Sequence, residues 1–184
     1  RILLAGGILK EVSREEVHEL VDEIYNEYGI GTKNGGIRIM DLYYTEQAKR
    51  AMELANKSSR ELHQNYTGCE HILLGLLREG TGVAAQVLMS AGLREEQMLE
   101  LIEQLIAPDE KEAMTTVAER DGLTPRAQRV LLLAAEMARK FDTDRIGTEH
   151  LLLALLREGE NVAVRLLNTI GINIQKMYVD TLLA

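Results

Sequence analysis

Two pairs of residues, each a threonine and a glutamate, have the types and spacing to bind a ligand. Thr45 precedes Glu70 by 25 residues, and Thr124 precedes Glu149 by the same distance. If each residue opens a helix, the backbone N–H groups and the positive dipole end favour an anion, and the carboxylate favours a cation. The spacing therefore predicts two matching sites, which can differ in polarity or affinity because Cys69 precedes Glu70 where Thr148 precedes Glu149. Plain capping by the threonines and dipole compensation by the glutamates is the alternative.

Cys69 and the two histidines that follow the glutamates, His71 and His150, raise two further possibilities, thiol catalysis and metal binding. A catalytic thiol needs an activating base and a group that stabilises the oxyanion, and the sequence identifies no such set. Two histidines in different parts of the chain do not make a metal site. We expect hydrogen-bonded structural histidines, no catalysis, no metal and no cofactor. A small hydrolase using Cys69 and His71 is the alternative from the enzyme class.

Composition favours a helical protein from a reducing compartment. The chain has 184 residues with 46% hydrophobic but only 4% aromatic side chains, which is typical of aliphatic helix packing. Its net charge of −8 disfavours binding to nucleic-acid phosphates. The longest apolar runs are too short for a membrane span. A single cysteine favours the cytoplasm, and we expect neither a nucleic-acid nor a membrane partner.

An internal repeat organises the chain. Residues 68–80, GCEHILLGLLREG, recur as residues 147–159, GTEHLLLALLREG, at an offset of 79. About a third of the positions are identical over roughly 60 residues without a gap. This predicts two tandem repeats of one structural unit.

Each repeat reads as four helices, so the predicted fold is all-α. Threonine caps, a proline at a first helical position and glycine stops mark the boundaries. The second helix is apolar on nearly every side and should be the buried centre of its repeat. The predicted spans are 45–62, 70–79, 83–91 and 94–106 in the first repeat, and 124–141, 149–158, 162–170 and 173–183 in the second.

The predicted domain organisation has two parts. Residues 1–42 form an extension of unknown role, with an amphipathic helix after a capping box at residues 13–16, a glycine-rich turn and a short strand at residues 37–40. Residues 43–184 form one pseudo-twofold domain: repeat one at 43–107, a charged linker at 108–122 and repeat two at 123–184.

The duplicated motif Gly-x-Glu-His-[Ile/Leu]-Leu-Leu-x-Leu-Leu-Arg-Glu-Gly, preceded in each copy by Thr-x-x-Ala, resembles the Clp N-terminal repeat domain. This domain precedes the ATPase rings of ClpC-type and ClpA-type AAA+ unfoldases. The resemblance covers residues 43–184. It implies an all-helical, non-catalytic domain of the bacterial cytoplasm that recruits substrates and adaptor proteins to an ATP-driven unfoldase working with the ClpP protease.

The resemblance also gives the two predicted sites a ligand. Domains of the ClpC type bind phosphoarginine, a degradation mark, at two equivalent pockets, and the matching residues here are Thr45, Glu70, Thr124 and Glu149. The carboxylates would pair with the guanidinium, and the hydroxyls and nearby N–H groups would bind the phosphoryl oxygens.

An ATPase phosphate loop does not occur in the sequence; the glycine-rich residues 29–33 have the wrong spacing. We therefore expect ATP and magnesium only in ATPase modules outside this chain, as in a fragment of a longer unfoldase. A stand-alone Clp-repeat protein that modulates a Clp protease is the alternative.

Overall fold

The computed structural model describes residues 43–105 and 122–184, which form eight α-helices. In chain order these are α1 (Glu46–Glu61), α2 (Cys69–Glu79), α3 (Val83–Ser90), α4 (Glu95–Leu105), α5 (Pro125–Lys140), α6 (Thr148–Glu158), α7 (Val162–Ile170) and α8 (Ile174–Leu183). The all-α prediction is confirmed, with four helices from each repeat. The predicted extension at 1–42 and all but the last residue of the predicted linker lie outside the described residues.

The first helix of each repeat begins at a threonine cap, as predicted. The Thr45 hydroxyl oxygen accepts a hydrogen bond from the backbone N–H of Ala48 at 3.2 Å. Thr124 does the same for the N–H of Ala127, also at 3.2 Å. Each bond satisfies one of the N–H groups that have no partner inside the helix. Pro125 follows at the first position of α5, where its missing N–H costs nothing.

The second helix of each repeat is the buried centre, as predicted. In α2 and α6 the leucine-rich runs are almost completely excluded from solvent. Both helices end at a glycine in the left-handed region, Gly80 with φ of 78° and Gly159 with φ of 76°. In the described residues no single helix is long and apolar enough to cross a membrane, although α2 and α3, bent by 94°, meet that test together.

The third helices connect the two repeats. The first and second helices of each repeat pack against each other, but α3 also packs on α6 and α7 also packs on α2. Buried side chains from both repeats therefore form one continuous core. The two repeats make a single domain rather than two bundles.

Gly75 lets α1 and α2 approach to backbone contact. A Cβ atom at this position would collide with the carbonyl oxygen of Ala51 and lie 2.7 Å from the amide nitrogen of Ala55. These two residues lie on adjacent turns of α1, so neither helix can yield without moving the other. The equivalent position in the second repeat is Ala154, which is fully buried.

We expect Gly75→Ala to lower the free energy of unfolding by about 1–3 kcal/mol, because overpacking outweighs the better helix propensity of alanine. Urea denaturation followed by circular dichroism measures this. Ala154→Gly is the matched control, and it should cost about 1 kcal/mol through propensity. A Gly75→Ala variant that is as stable as the parent would show that α1 and α2 can separate freely.

Candidate functional site

The first predicted threonine lies beside the second repeat. The backbone N–H of Thr45 donates to the carbonyl oxygen of Ile146 at 2.9 Å, and the N–H of Ile146 donates to the carbonyl of Tyr43 at 2.7 Å. Ile146 directly precedes Gly147, the N-cap of α6. The start of α1 is therefore joined to the start of the helix that carries Glu149.

The second threonine is joined to the first repeat in the same way. The N–H of Thr124 donates to the carbonyl of Thr67 at 3.1 Å, and the N–H of Thr67 donates to the carbonyl of Gly122. Thr67 directly precedes Gly68, the N-cap of α2. The start of α5 therefore adjoins the start of the helix that carries Glu70.

The predicted pairing within each repeat, Thr45 with Glu70 and Thr124 with Glu149, is thus wrong, although the four residues lie at helix starts as expected. Near the start of α2, the Thr67 hydroxyl is 3.5 Å from the hydroxyl of Ser59, close to the end of α1. Ser59 lies fourteen residues beyond Thr45, or about 21 Å along the helix. Each threonine meets the glutamate helix of the other repeat because consecutive helices run in opposite directions.

The start of a third helix lies beside the first of these pairs of helix starts. At the first site, which we define as Thr45, Glu149, Thr148 and residues 82–84, the Thr148 hydroxyl oxygen accepts from the N–H of Ala84 at 3.4 Å. A Cβ atom on Gly82 would overlap that hydroxyl. The starts of α1, α6 and α3 therefore converge, and their N–H groups and positive dipole ends favour an anion.

The second site, defined as Thr124, Glu70, Cys69 and Asn161, joins the starts of α5 and α2, and α7, which begins at Asn161, packs on α2. The Asn161 side chain caps α7 by accepting from the N–H of Val164 at 3.0 Å. Burial, with the nearby carboxylates of Glu70 and Glu158, raises the pKa of the Cys69 thiol well above its usual value. A neutral, buried thiol is a poor nucleophile, which argues against the hydrolase alternative.

Both predicted glutamates fold back over the glycine that caps their helix. A Cβ atom on Gly68 would overlap the Glu70 carboxylate, and one on Gly147 would overlap that of Glu149. The carboxylates thus lie at the positive ends of their helices. They differ in access, because the Glu70 side chain is only 2% exposed and that of Glu149 is 34% exposed.

The two histidines are structural caps. Nδ1 of His71 accepts from the N–H of Gly68, and Nδ1 of His150 accepts from the N–H of Gly147, both at 2.9 Å. Burial lowers the pKa of His71 to about 4 and also lowers that of His150. Among the described residues, no group of three or more His, Cys, Asp or Glu side chains is arranged to hold a metal ion.

Two further acids border the sites and were not predicted to matter. Glu79 accepts from the N–H groups of Thr81 at 3.1 Å and Gly82 at 2.6 Å, and so fixes the loop that leads into α3. Glu158 accepts from the Asn161 amide and from the Arg126 guanidinium, both at 2.8 Å. The sequence signal was the Arg-Glu-Gly triplet that ends both copies of the motif.

We expect the domain to lose stability as the pH falls from 7 to 5. The folded-state pKa of His71 is about 4, whereas the unfolded value is about 6.5. The unfolded chain therefore binds protons first, which costs about 2 kcal/mol over this range for His71. This loss of stability occurs mostly above the pKa of ordinary carboxyl groups, about 4, so it can be distinguished from their protonation. Urea unfolding at pH 7, 6 and 5 measures it.

His71→Gln is the matched variant for this prediction. Glutamine at the third helical position still accepts from the capping N–H but does not titrate. The variant should retain most of its stability at pH 7 and show a shallower decline toward pH 5, with the remainder coming from His150. An identical pH profile in the variant would contradict a role for His71.

Comparison with known proteins places the chain in a family. A family model described as the Clp repeat (R) N-terminal domain matches residues 43–170. The negative regulator of genetic competence ClpC/MecB from Bacillus subtilis is 42% identical over 133 residues, which is 72% of this chain and 16% of that protein. The chloroplastic chaperone protein ClpC1 from Oryza sativa is 42% identical over 152 residues, 83% of this chain and 16% of the relative.

A solved structure agrees on the fold. The N-terminal domain of the chaperone ClpD from Arabidopsis thaliana superposes with a TM-score of 0.63 at 23% sequence identity. The match covers 76% of this chain and 95% of that domain. The chain spans about a sixth of the length of the two sequence relatives, which come from a bacterium and from chloroplasts.

Proposed function

Because the chain belongs to the Clp N-terminal domain family, we propose that it recruits protein substrates and adaptor proteins to a ClpC-type ATP-dependent unfoldase. The observation that carries this proposal is the convergence of three helix starts beside a carboxylate, which suits a ligand with both an anionic and a cationic group. The chain binds and positions such ligands, and it does not transform them.

The chemistry of the site favours phosphoarginine on a substrate protein. Its guanidinium would pair with the carboxylate of Glu149 or Glu70, and its phosphoryl oxygens would accept from N–H groups at the helix starts. The Thr45 and Thr124 hydroxyl oxygens already accept from their own helices, so each hydroxyl proton is available to a phosphoryl oxygen. A ligand with only a cationic group would pair with the carboxylate alone, and a ligand with only an anionic group would bind the N–H and hydroxyl groups alone.

The ATPase and protease functions belong to other parts of the machine. One relative, the chloroplastic homologue from Brassica napus, is described as an ATP-dependent Clp protease ATP-binding subunit, and the present chain covers 15% of it. We propose that ATP and magnesium act in such ATPase modules and that ClpP is engaged indirectly through them. The bacterial cytoplasm remains our predicted location.

Adaptor proteins would dock on the outer surface. The first helices carry basic side chains that are exposed or partly exposed, among them Lys49, Arg50 and Arg129. Such a surface complements acidic groups on a partner and acts chiefly on the rate of association.

The proposal is tested by calorimetric titration with phosphoarginine. We expect the double variant Glu70→Ala plus Glu149→Ala to bind about 10 to 100 times more weakly, because a charge-assisted hydrogen bond contributes about 1.5–3 kcal/mol. Free arginine and inorganic phosphate, titrated separately, should each bind at least about tenfold more weakly than phosphoarginine.

The control is Glu96→Ala plus Glu100→Ala, which changes the net charge equally at two exposed positions on α4 and should leave the affinity unchanged. Thermal melts of both double variants establish that they are folded. Unchanged phosphoarginine affinity in the Glu70, Glu149 variant would overturn the assignment of these glutamates, and no binding by the parent would overturn the ligand.

A further inference from the structure

We infer that the two sites have diverged and that only the first site, built around Thr45 and Glu149, binds the ligand. This inference rests on the proposed function. The duplicated motif predicts two matching sites, but the surroundings of the equivalent residues differ in access and in charge.

The first difference is access to the carboxylate that would bind a guanidinium. The Glu149 side chain is 34% exposed, and it has no cationic partner among the described residues. Its neighbour His150 contacts it through Nδ1, which accepts from a backbone N–H and therefore carries no proton to donate. A guanidinium arriving from solvent can pair with this carboxylate without breaking an existing ion pair.

Glu70 lacks this access. Its side chain is 2% exposed, and the neighbouring Thr124 is also buried. By contrast, the equivalent Thr45 is only partly buried. A ligand at the second site would have to open the packing between the starts of α2 and α5, and that rearrangement opposes binding.

The second difference is that Glu158, the acid beside the second site, is already paired with a cation. At the second site the Glu158 carboxylate is 3% exposed and accepts from the guanidinium of Arg126, while Arg129 lies 3.8 Å away. Its other oxygen accepts from Asn161. Arg126 is close enough to the start of α2 to lower the pKa of the Cys69 thiol against the effect of burial. The second site therefore already contains a guanidinium that belongs to the chain.

The equivalent position at the first site has no such cation. Gln47 replaces Arg126 there and is exposed. The equivalent acid, Glu79, accepts from N–H groups of its own loop, and the charge of Arg50 also acts on it, although no ion pair joins the two in the part of the chain that the structure describes. Glu149 is therefore the carboxylate that a guanidinium can reach at the first site, and the second site offers no carboxylate that is both exposed and without a cation.

The experiment is a titration of the parent chain with phosphoarginine, followed by calorimetry and by amide signals in ¹H–¹⁵N spectra. We expect one ligand per chain. The amides of Gly147 and Glu149 should shift, whereas those of Gly68 and Glu70 should not. Glu149→Gln should weaken binding at least about tenfold, and the matched variant Glu70→Gln should leave affinity and stoichiometry within about twofold.

The outcomes separate this inference from the proposed function. Two ligands per chain, or equal losses in the two variants, would overturn the single-site inference and leave phosphoarginine recognition standing. No binding by the parent would overturn both. If Glu70→Gln does not fold, the stoichiometry and the amide shifts of the parent decide the question without it.

Discussion

Backbone hydrogen bonds between the segments that precede the helices fix the arrangement on which the rest of the domain depends. Thr45 and Ile146 bond across the repeats at one place, and Thr67 and Thr124 do so at the other. These segments are largely buried, so their N–H and carbonyl groups need partners, and each repeat supplies partners for the other. Once these bonds form, α1 begins beside α6 and α5 begins beside α2. The third helices then pack across the same boundary.

This arrangement brings like ends of helix dipoles together, which is unfavourable unless negative charge lies among them. The fold supplies that charge from its own acids. Glu70 and Glu149 fold over the glycine caps of α2 and α6, and Glu79 accepts from the N–H groups before α3. A group of carboxylates near converging helix starts is therefore first a requirement of the fold. A ligand site arises where one of these carboxylates is still accessible from solvent.

Local sequence signals predicted the helices to within one residue at each end, because caps, glycine stops and apolar periodicity act over a few residues. The threonine caps and the buried second helices followed directly from these signals. The pairing of Thr45 with Glu149 did not. A repeat with a fixed offset shows that two units are alike, but it is equally compatible with sites made within a unit and sites made between units.

The same limit applies to access. Glu70 and Glu149 occupy identical positions in nearly identical motifs, with Cys69 before one and Thr148 before the other, yet their side chains are 2% and 34% exposed. Exposure is set by the tertiary packing around each carboxylate, which a local motif does not specify. The sequence also shows Arg126 in the second repeat where the first has Gln47, but the effect of this difference depends on which site Arg126 faces.

Each site combines residues from both repeats, and this determines how amino-acid substitutions affect the domain. Arg126 belongs to the second repeat, yet its charge acts on Cys69 of the first. A substitution in either repeat therefore alters the site whose glutamate lies in the other, while the hydrophobic core common to both holds the helices in place. Two sites that began alike can diverge in this way without loss of the fold, one kept open for a ligand and the other closed by a guanidinium of the chain itself.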